Sequence, residues 1–264
     1  MDSGTSRESE PEVKFVAFVG TEGRTPADKV AEMNRDWPAY ATELERRGLA
    51  GIGRELELPE EGVATVRVRD GETLVSDGPF LETKEFVGGF DLFDADDMDS
   101  AVERESGNPV LRYHPFEIRP LAYDFRVTDR TEAFGAMDDA DGVPHLLAAW
   151  VEGPSAAVAD DLLLRQECDA WRQENETRGV FVLGGVLGPP DAARTLRTRE
   201  REIQLTAGPF IDGPAYLAAI DVVRTPALRE AMDLAASHPF ARLHAVEVRP
   251  FYTEAAHAPA PPAA

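Results

Sequence analysis

At 264 residues with 27 basic against 49 acidic side chains, the chain carries a net charge of −22 at pH 7, which repels nucleic-acid backbones and anionic membrane surfaces alike. Its hydrophobic fraction of 43% is that of a soluble globular protein, and no apolar run reaches the roughly 20 residues of a membrane span. The single cysteine, Cys168, permits no internal disulfide, and with a polar, acidic amino end it points to a cytoplasmic protein.

Residues 1–12 and 253–264 cannot bury apolar surface, so disorder is expected for both tails. Lys14–Gly20, KFVAFVG, reads as a strand. Pro26 opens a helix running to about Arg47, with Val30, Met33, Trp37, Tyr40 and Leu44 at three- and four-residue steps as one buried stripe and Gly48 as its cap. Leu49–Leu58 is a second strand. Ala64–Arg69 and Thr73–Val75 straddle Asp70-Gly71, a strong hairpin signal, and Val87–Phe93 follows as a strand. Asp96–Glu105 reads as a helix with acidic residues in its first turn, and Leu111–Arg119 as the closing strand. After a linker, about Ala122–Val143, the order returns. Strands are expected at His145–Val151, Val180–Leu187, Thr195–Arg199, Ile203–Thr206, Tyr216–Val223 and Ala241–Arg249, with helices at Ala156–Arg178 and Pro226–Ala236.

The return is also one of sequence. Shifted by 130 residues, Gly78-Pro79-Phe80 meets Gly208-Pro209-Phe210, Asp91 meets Asp221, and Arg112 meets Arg242. His114 meets His244, Glu117 meets Glu247, and Arg119-Pro120 meets Arg249-Pro250. Upstream the offset reads as 131, pairing Ala17 with Ala148 and Arg47-Gly48 with Arg178-Gly179. Self-similarity over so long a period marks a duplicated domain rather than a solenoid. The expected fold is therefore α+β: tandem ferredoxin-like units, 13–121 and a degenerate 144–252. Each such unit covers one sheet face with helices and leaves the other apolar, so the sheets are expected to meet face to face.

The run Asp77-Gly78-Pro79-Phe80, followed by Glu82-Thr83-Lys84-Glu85, a Gly-Gly-Phe strand and a closing Glu-Ile-Arg-Pro, resembles the DGPF group of the YCII-related family. The second copy keeps Gly208-Pro209-Phe210, Glu247 and Arg249-Pro250, but has Ala207 for the Asp and Pro214-Ala215 for Lys84-Glu85. The resemblance implies a dimeric α/β barrel, formed here within one chain. It also implies kinship with a cofactor-free dehydrochlorinase of a substituted hydroquinone that uses a His of its first helix with an Asp. At the positions equivalent to that His stand Trp37 and Cys168. The acid of the family's Asp-Pro pair is replaced in Asn108-Pro109 and His238-Pro239.

His114 and His244 are the candidate general acid/base groups, since imidazole titrates near neutrality. Strand alternation sets each beside an Arg, Arg112 or Arg242, able to hold an anionic oxygen. Asp91 and Asp221 either orient those imidazoles or pair with Arg119 and Arg249. Asp77 either shapes the turn or binds substrate, and Lys84 is available to bind an anion. The one pair of histidines at ligand spacing, His238 and His244, falls in different elements, and no nucleotide loop or serine-nucleophile motif occurs, so neither metal nor cofactor is expected. The leading expectation is cofactor-independent acid–base chemistry, an isomerisation, cyclisation or elimination, on an oxygenated aromatic or polyketide-like molecule of secondary metabolism. Its cleft would lie between the sheets, in a monomer with an intrachain pseudo-dimer or in a homodimer. The competing expectation is a non-catalytic ligand- or partner-binding module, accessory to transcriptional regulation.

Overall fold

The computed structural model describes residues 15–59, 62–81, 84–122, 125–128, 142–153, 161–211 and 213–253. The expected tail at 1–12, that beyond Thr253, most of the expected linker and the expected start of the second long helix lie outside them. In chain order the elements are β1 (Phe15–Thr21), α1 (Ala27–Arg47), β2 (Ile52–Glu55), β3 (Ala64–Arg69), β4 (Glu72–Asp77), β5 (Phe86–Phe93), α2 (Met98–Ser106), β6 (Phe116–Pro120) and β7 (Arg126–Val127). Then follow β8 (Val143–Glu152), α3 (Leu162–Thr177), β9 (Phe181–Val186), β10 (Arg194–Arg199), β11 (Glu202–Ala207), β12 (Ala215–Thr225), α4 (Leu228–Ser237), α5 (Pro239–Leu243) and β13 (Ala245–Pro250). Among the described residues no helix is long and apolar enough to cross a membrane.

The fold is mixed α+β, with two antiparallel sheets ordered β11-β10-β6-β1-β5-β2 and β4-β3-β13-β8-β12-β9-β7. The hairpins are exchanged between the halves. β3–β4 adds to β13, where Val66 lies opposite Val246, and β10–β11 adds to β6, where Leu196 lies opposite Phe116. Sequence reading placed each hairpin within its own half; instead each completes the other half's sheet. Single bridges from Leu56 to Phe251 and from Leu121 to Leu187 stitch the sheets at two further points.

Alternation along the strands divides the core. Val16 and Phe18 of β1, with Phe90 and Leu92 of β5, meet Leu146, Ala148 and Trp150 of β8 and Leu217, Ile220 and Val222 of β12 in one inter-sheet cluster. Phe15, Ala17 and Phe93 turn outward toward Ala101 of α2. On the second sheet the outward residues meet Leu164, Cys168 and Trp171 of α3, Ala231 and Leu234 of α4, and Phe240 of α5. The first half is less tightly covered. On α1 only Met33 and Leu44 are buried, whereas Trp37, expected in the same stripe, is 43% exposed.

Strand register corrects the upstream offset. Ala17 lies opposite Asp91 and Ile118, and Leu147 lies opposite Asp221 and Val248. Ala17 therefore corresponds to Leu147, not Ala148. A one-residue slip would turn the inner face of the strand outward. The additional residue falls later: Gly53 lies opposite Asp91 and Gly184 opposite Asp221, at the wider offset.

Candidate functional site

The expected closing strands begin later than the sequence suggested, and this moves both histidines. Asn108 caps the Val110 amide, and Pro109 starts a 3-10 turn ending at Arg112; β6 begins only after Pro115. In the second half His238 and Pro239 open α5, and β13 begins after His244. His114 and His244 therefore sit in connections, so alternation along a strand does not set Arg112 or Arg242 beside them. His114 is half-buried, its Nε2 2.9 Å from Thr25 Oγ1 and its Nδ1 3.2 Å from the Gly20 carbonyl oxygen. Burial holds its pKa below the ordinary imidazole value, against the pull of that carbonyl. His244 is lowered by burial and by Arg69. Arg112 reaches Asp36 (2.5 Å) and Glu32 on α1, and Arg242 reaches Glu167 on α3 (2.6 Å). All are solvent-facing pairs on the helical side, engaged with protein carboxylates.

Asp91 and Asp221 meet neither those histidines nor the alternative partners Arg119 and Arg249. Asp91 accepts from Arg104 Nη2 at 2.7 Å, and Arg104 also contacts Glu105 and donates Nε to the Leu49 carbonyl. Glu105 takes a further hydrogen bond from Asn108 Nδ2 at 3.0 Å. One guanidinium thus faces two carboxyls, and burial raises both pKa values against its attraction, Glu105 to about 7. In the second half Arg172 Nε donates to Asp221 Oδ1 at 2.6 Å, and His238 Nε2 lies 3.2 Å from Oδ2. Burial opposes the Asp221 charge, but Arg172 and His238 together outweigh it and hold the carboxyl below its ordinary value. Side-chain exposure in this trio is 0–1%, whereas Asp91 retains 19%. The second-half cluster is sealed; the first-half one still meets solvent. Sequence reading missed Arg104 and Arg172. Their signal was a charged side chain on the stripe that also carries Ala101 on α2, or Cys168 and Trp171 on α3.

The family motifs explain each other across the halves. Glu117 and Arg119 form a buried pair on β6, and Glu117 Oε2 accepts the Phe210 amide at 3.2 Å. In the mirrored contact the Phe80 amide donates to Glu247 Oε2 at 3.0 Å, while Arg249 lies 3.6 Å from Glu247 and donates to the Val87 and Glu57 carbonyls. The Gly-Pro-Phe turn of one half is thus held by the Glu-x-Arg-Pro strand of the other. Gly78 and Gly208 both lie at φ +90°, which favours glycine. Asp77 ends β4 on the exposed edge, and Lys84 is exposed. Glu85 is clasped by Arg197 of β10 at 2.5 and 2.7 Å.

Between the sheets, beside these turns, lies a small pocket of about 20 Å³. Its walls are Pro79, Leu81, Phe86, Val87, Leu146, Ala148, Trp150, Ile211 and Leu217, with Glu247 and Arg249 as its charged members. Such a volume admits about one water. Trp150 stacks on Phe80 with ring centroids 6.0 Å apart. By register the matching position on β1 is Gly20, where a Cβ would stand 2.9 Å from the Phe210 ring and 2.7 Å from Pro115. In one half a tryptophan fills the space beside the Phe; in the other the backbone itself closes on it. Burial raises the Glu247 carboxyl, partly countered by Arg249 and the Phe80 amide. None of the eight expected site residues lines this pocket.

Residues 15–123, the half that carries Gly78-Pro79-Phe80 and the Glu117–Arg119 pair, match the model of the YCII-related domain, and the chain belongs to that family. Over 90 residues, 33% of this chain, it is 43% identical to an uncharacterized protein of Rhizobium meliloti, 72% of whose length is covered.

Proposed function

We propose that the chain is a ligand-binding module built from two duplicated DGPF-type units, packed as an intrachain pseudo-dimeric barrel, which takes a small, mostly apolar molecule between its sheets. The observation that carries this reading is the pocket: nine apolar walls, with Glu247 and Arg249 already engaged by backbone groups and by each other. The shared register of Ala17 and Leu147 and the reciprocal Phe–Glu contacts support the duplication. At about 20 Å³ a guest larger than water enters only if the Pro79–Leu81 turn moves aside. Phenol and indole are suitable probes. Each should raise the melting temperature of the native chain and perturb Trp150 fluorescence, and Ala148→Leu, which fills the pocket, should abolish both effects. Equal responses in the filled variant would refute the site.

A second reading, a cofactor-free lyase or isomerase, is favoured by Glu247, a carboxyl at the pocket wall whose pKa burial raises above the ordinary range. Under it, Glu247→Gln keeps ligand affinity but ends turnover of a hydroquinone-type substrate. Replacing His114 or His244 by Ala would leave turnover unchanged; loss with either would return the chemistry to the helical side.

A further inference from the structure

The outer edge of β11 is an uncommon surface for so acidic a protein. All six of its residues are exposed, and among the described residues its only strand partner is β10. Such an edge leaves alternate N–H and C=O groups unpaired, and proteins usually blunt it with charges, proline or a bulge. Beyond Glu202 at its start, β11 lacks these devices. Ile203-Gln204-Leu205-Thr206-Ala207 is uncharged throughout, and β10–β11 pairing shows no register shift. Ile203 and Leu205 project from one face of the strand, 46% and 52% exposed.

We propose that this edge pairs with the same edge of a second copy of the chain, antiparallel about a twofold axis. With Gln204 opposite its own copy, Ile203 falls opposite Leu205 and Glu202 opposite Thr206. Four aliphatic side chains then form one cross-strand stripe, and no like charges face each other. Charge opposes association less here than elsewhere on the surface. With a net −22, copies repel across most of their surface, while residues 194–207 carry four Arg against two Glu. The corresponding edge, β4, fits less well. Glu72 and Asp77 bound it, and its exposed Leu74 and Val75, being adjacent, project to opposite faces. The dimer would be isologous and closed, leaving the inter-sheet pocket in each copy untouched.

Sedimentation velocity on the full chain, with protein from about 1 to 200 μM, tests this. The native chain should move from monomer to dimer as concentration rises. The Ile203→Lys/Leu205→Lys variant should stay monomeric to the top of the series, with unchanged circular dichroism and melting temperature at the lowest concentration. The matched β4 variant, Leu74→Lys/Val75→Lys, should dimerise like the native chain. A native chain that stays monomeric, a β11 variant that still dimerises, or a β4 variant that does not would each overturn the proposal.

Discussion

Glu105 is the group whose replacement tests the electrostatics most sharply. Its carboxyl, fully buried beside Arg104 and Asn108, is raised from 4.5 to about 7. Between those values the folded chain holds a proton that the unfolded chain has released, so this group adds stability as pH falls and withdraws it as pH rises through 7. His145, 2% exposed between Val143 and Thr225, runs the other way: burial lowers it from 6.5 to about 4. In that window the unfolded chain binds a proton the folded chain refuses, so stability falls on acidification. Each shift spans about 2.5 pH units, or about 3 kcal/mol when fully expressed, of which about 2 kcal/mol appears between pH 7.5 and 5. The two nearly cancel in the native protein. Glu105→Gln keeps the shape and a hydrogen-bonding oxygen but removes the titration. The variant should therefore lose about 2 kcal/mol more than the native chain on going from pH 7.5 to 5. Urea unfolding followed by tryptophan fluorescence at the two pH values measures this as the difference in transition free energies. Equal losses in both proteins would refute a Glu105 that takes up its proton near neutrality.

Other substitutions probe the buried pairs. Asp221→Ala leaves Arg172 buried without its carboxylate, and a cost of about 3–5 kcal/mol is expected by chemical denaturation; Asp221→Leu with Arg172→Met should cost less than the single change. Glu247→Ala should be similarly severe, because it also strips the Phe80 amide of its acceptor. Gly78→Ala, at φ +90°, should cost about 1 kcal/mol or more. Arg112→Ala and Arg242→Ala, which break only solvent-facing pairs, should leave the melting temperature unchanged. Residues 13–127 expressed alone have a β3–β4 hairpin but no β13 to receive it, so size-exclusion with light scattering should find a homodimer that exchanges hairpins; a stable folded monomer would contradict the role assigned to the exchange.

Most strands and helices were legible because their signals are local: Asp70-Gly71 for the first hairpin, Gly48 at φ +69° for the end of α1, and the acidic residues at the start of α2, where Asp97 accepts from the Ser100 amide. The histidines were misplaced for an equally local reason. Leu111–Arg119 and Ala241–Arg249 have apolar alternation, but an Asn or His cap followed by proline makes a helical turn of their first residues. The partners of Asp91 and Asp221 were hidden because Arg104 and Arg172 come from helices whose rotation over the sheet is a tertiary matter. Nor could the exchange of hairpins be read off. A hairpin's own pattern states which face is apolar, not which sheet edge it will join.

The exchange also explains why the repeated motifs are those that they are. A Gly-Pro-Phe turn presents an amide to a buried glutamate, and that glutamate needs an arginine to share its charge in a dry interface. Neither half contains the complete contact: Phe80 requires Glu247, and Phe210 requires Glu117. The pairing therefore ties each turn to a particular partner in the other half. The residues around the two turns differ. Trp150 stands against Phe80 while Gly20 lets Phe210 close on the backbone. On the helical side, Asp221 is sealed with His238 while Asp91 keeps contact with solvent. The shared motif thus marks what joins the halves, and the differences between them lie around it.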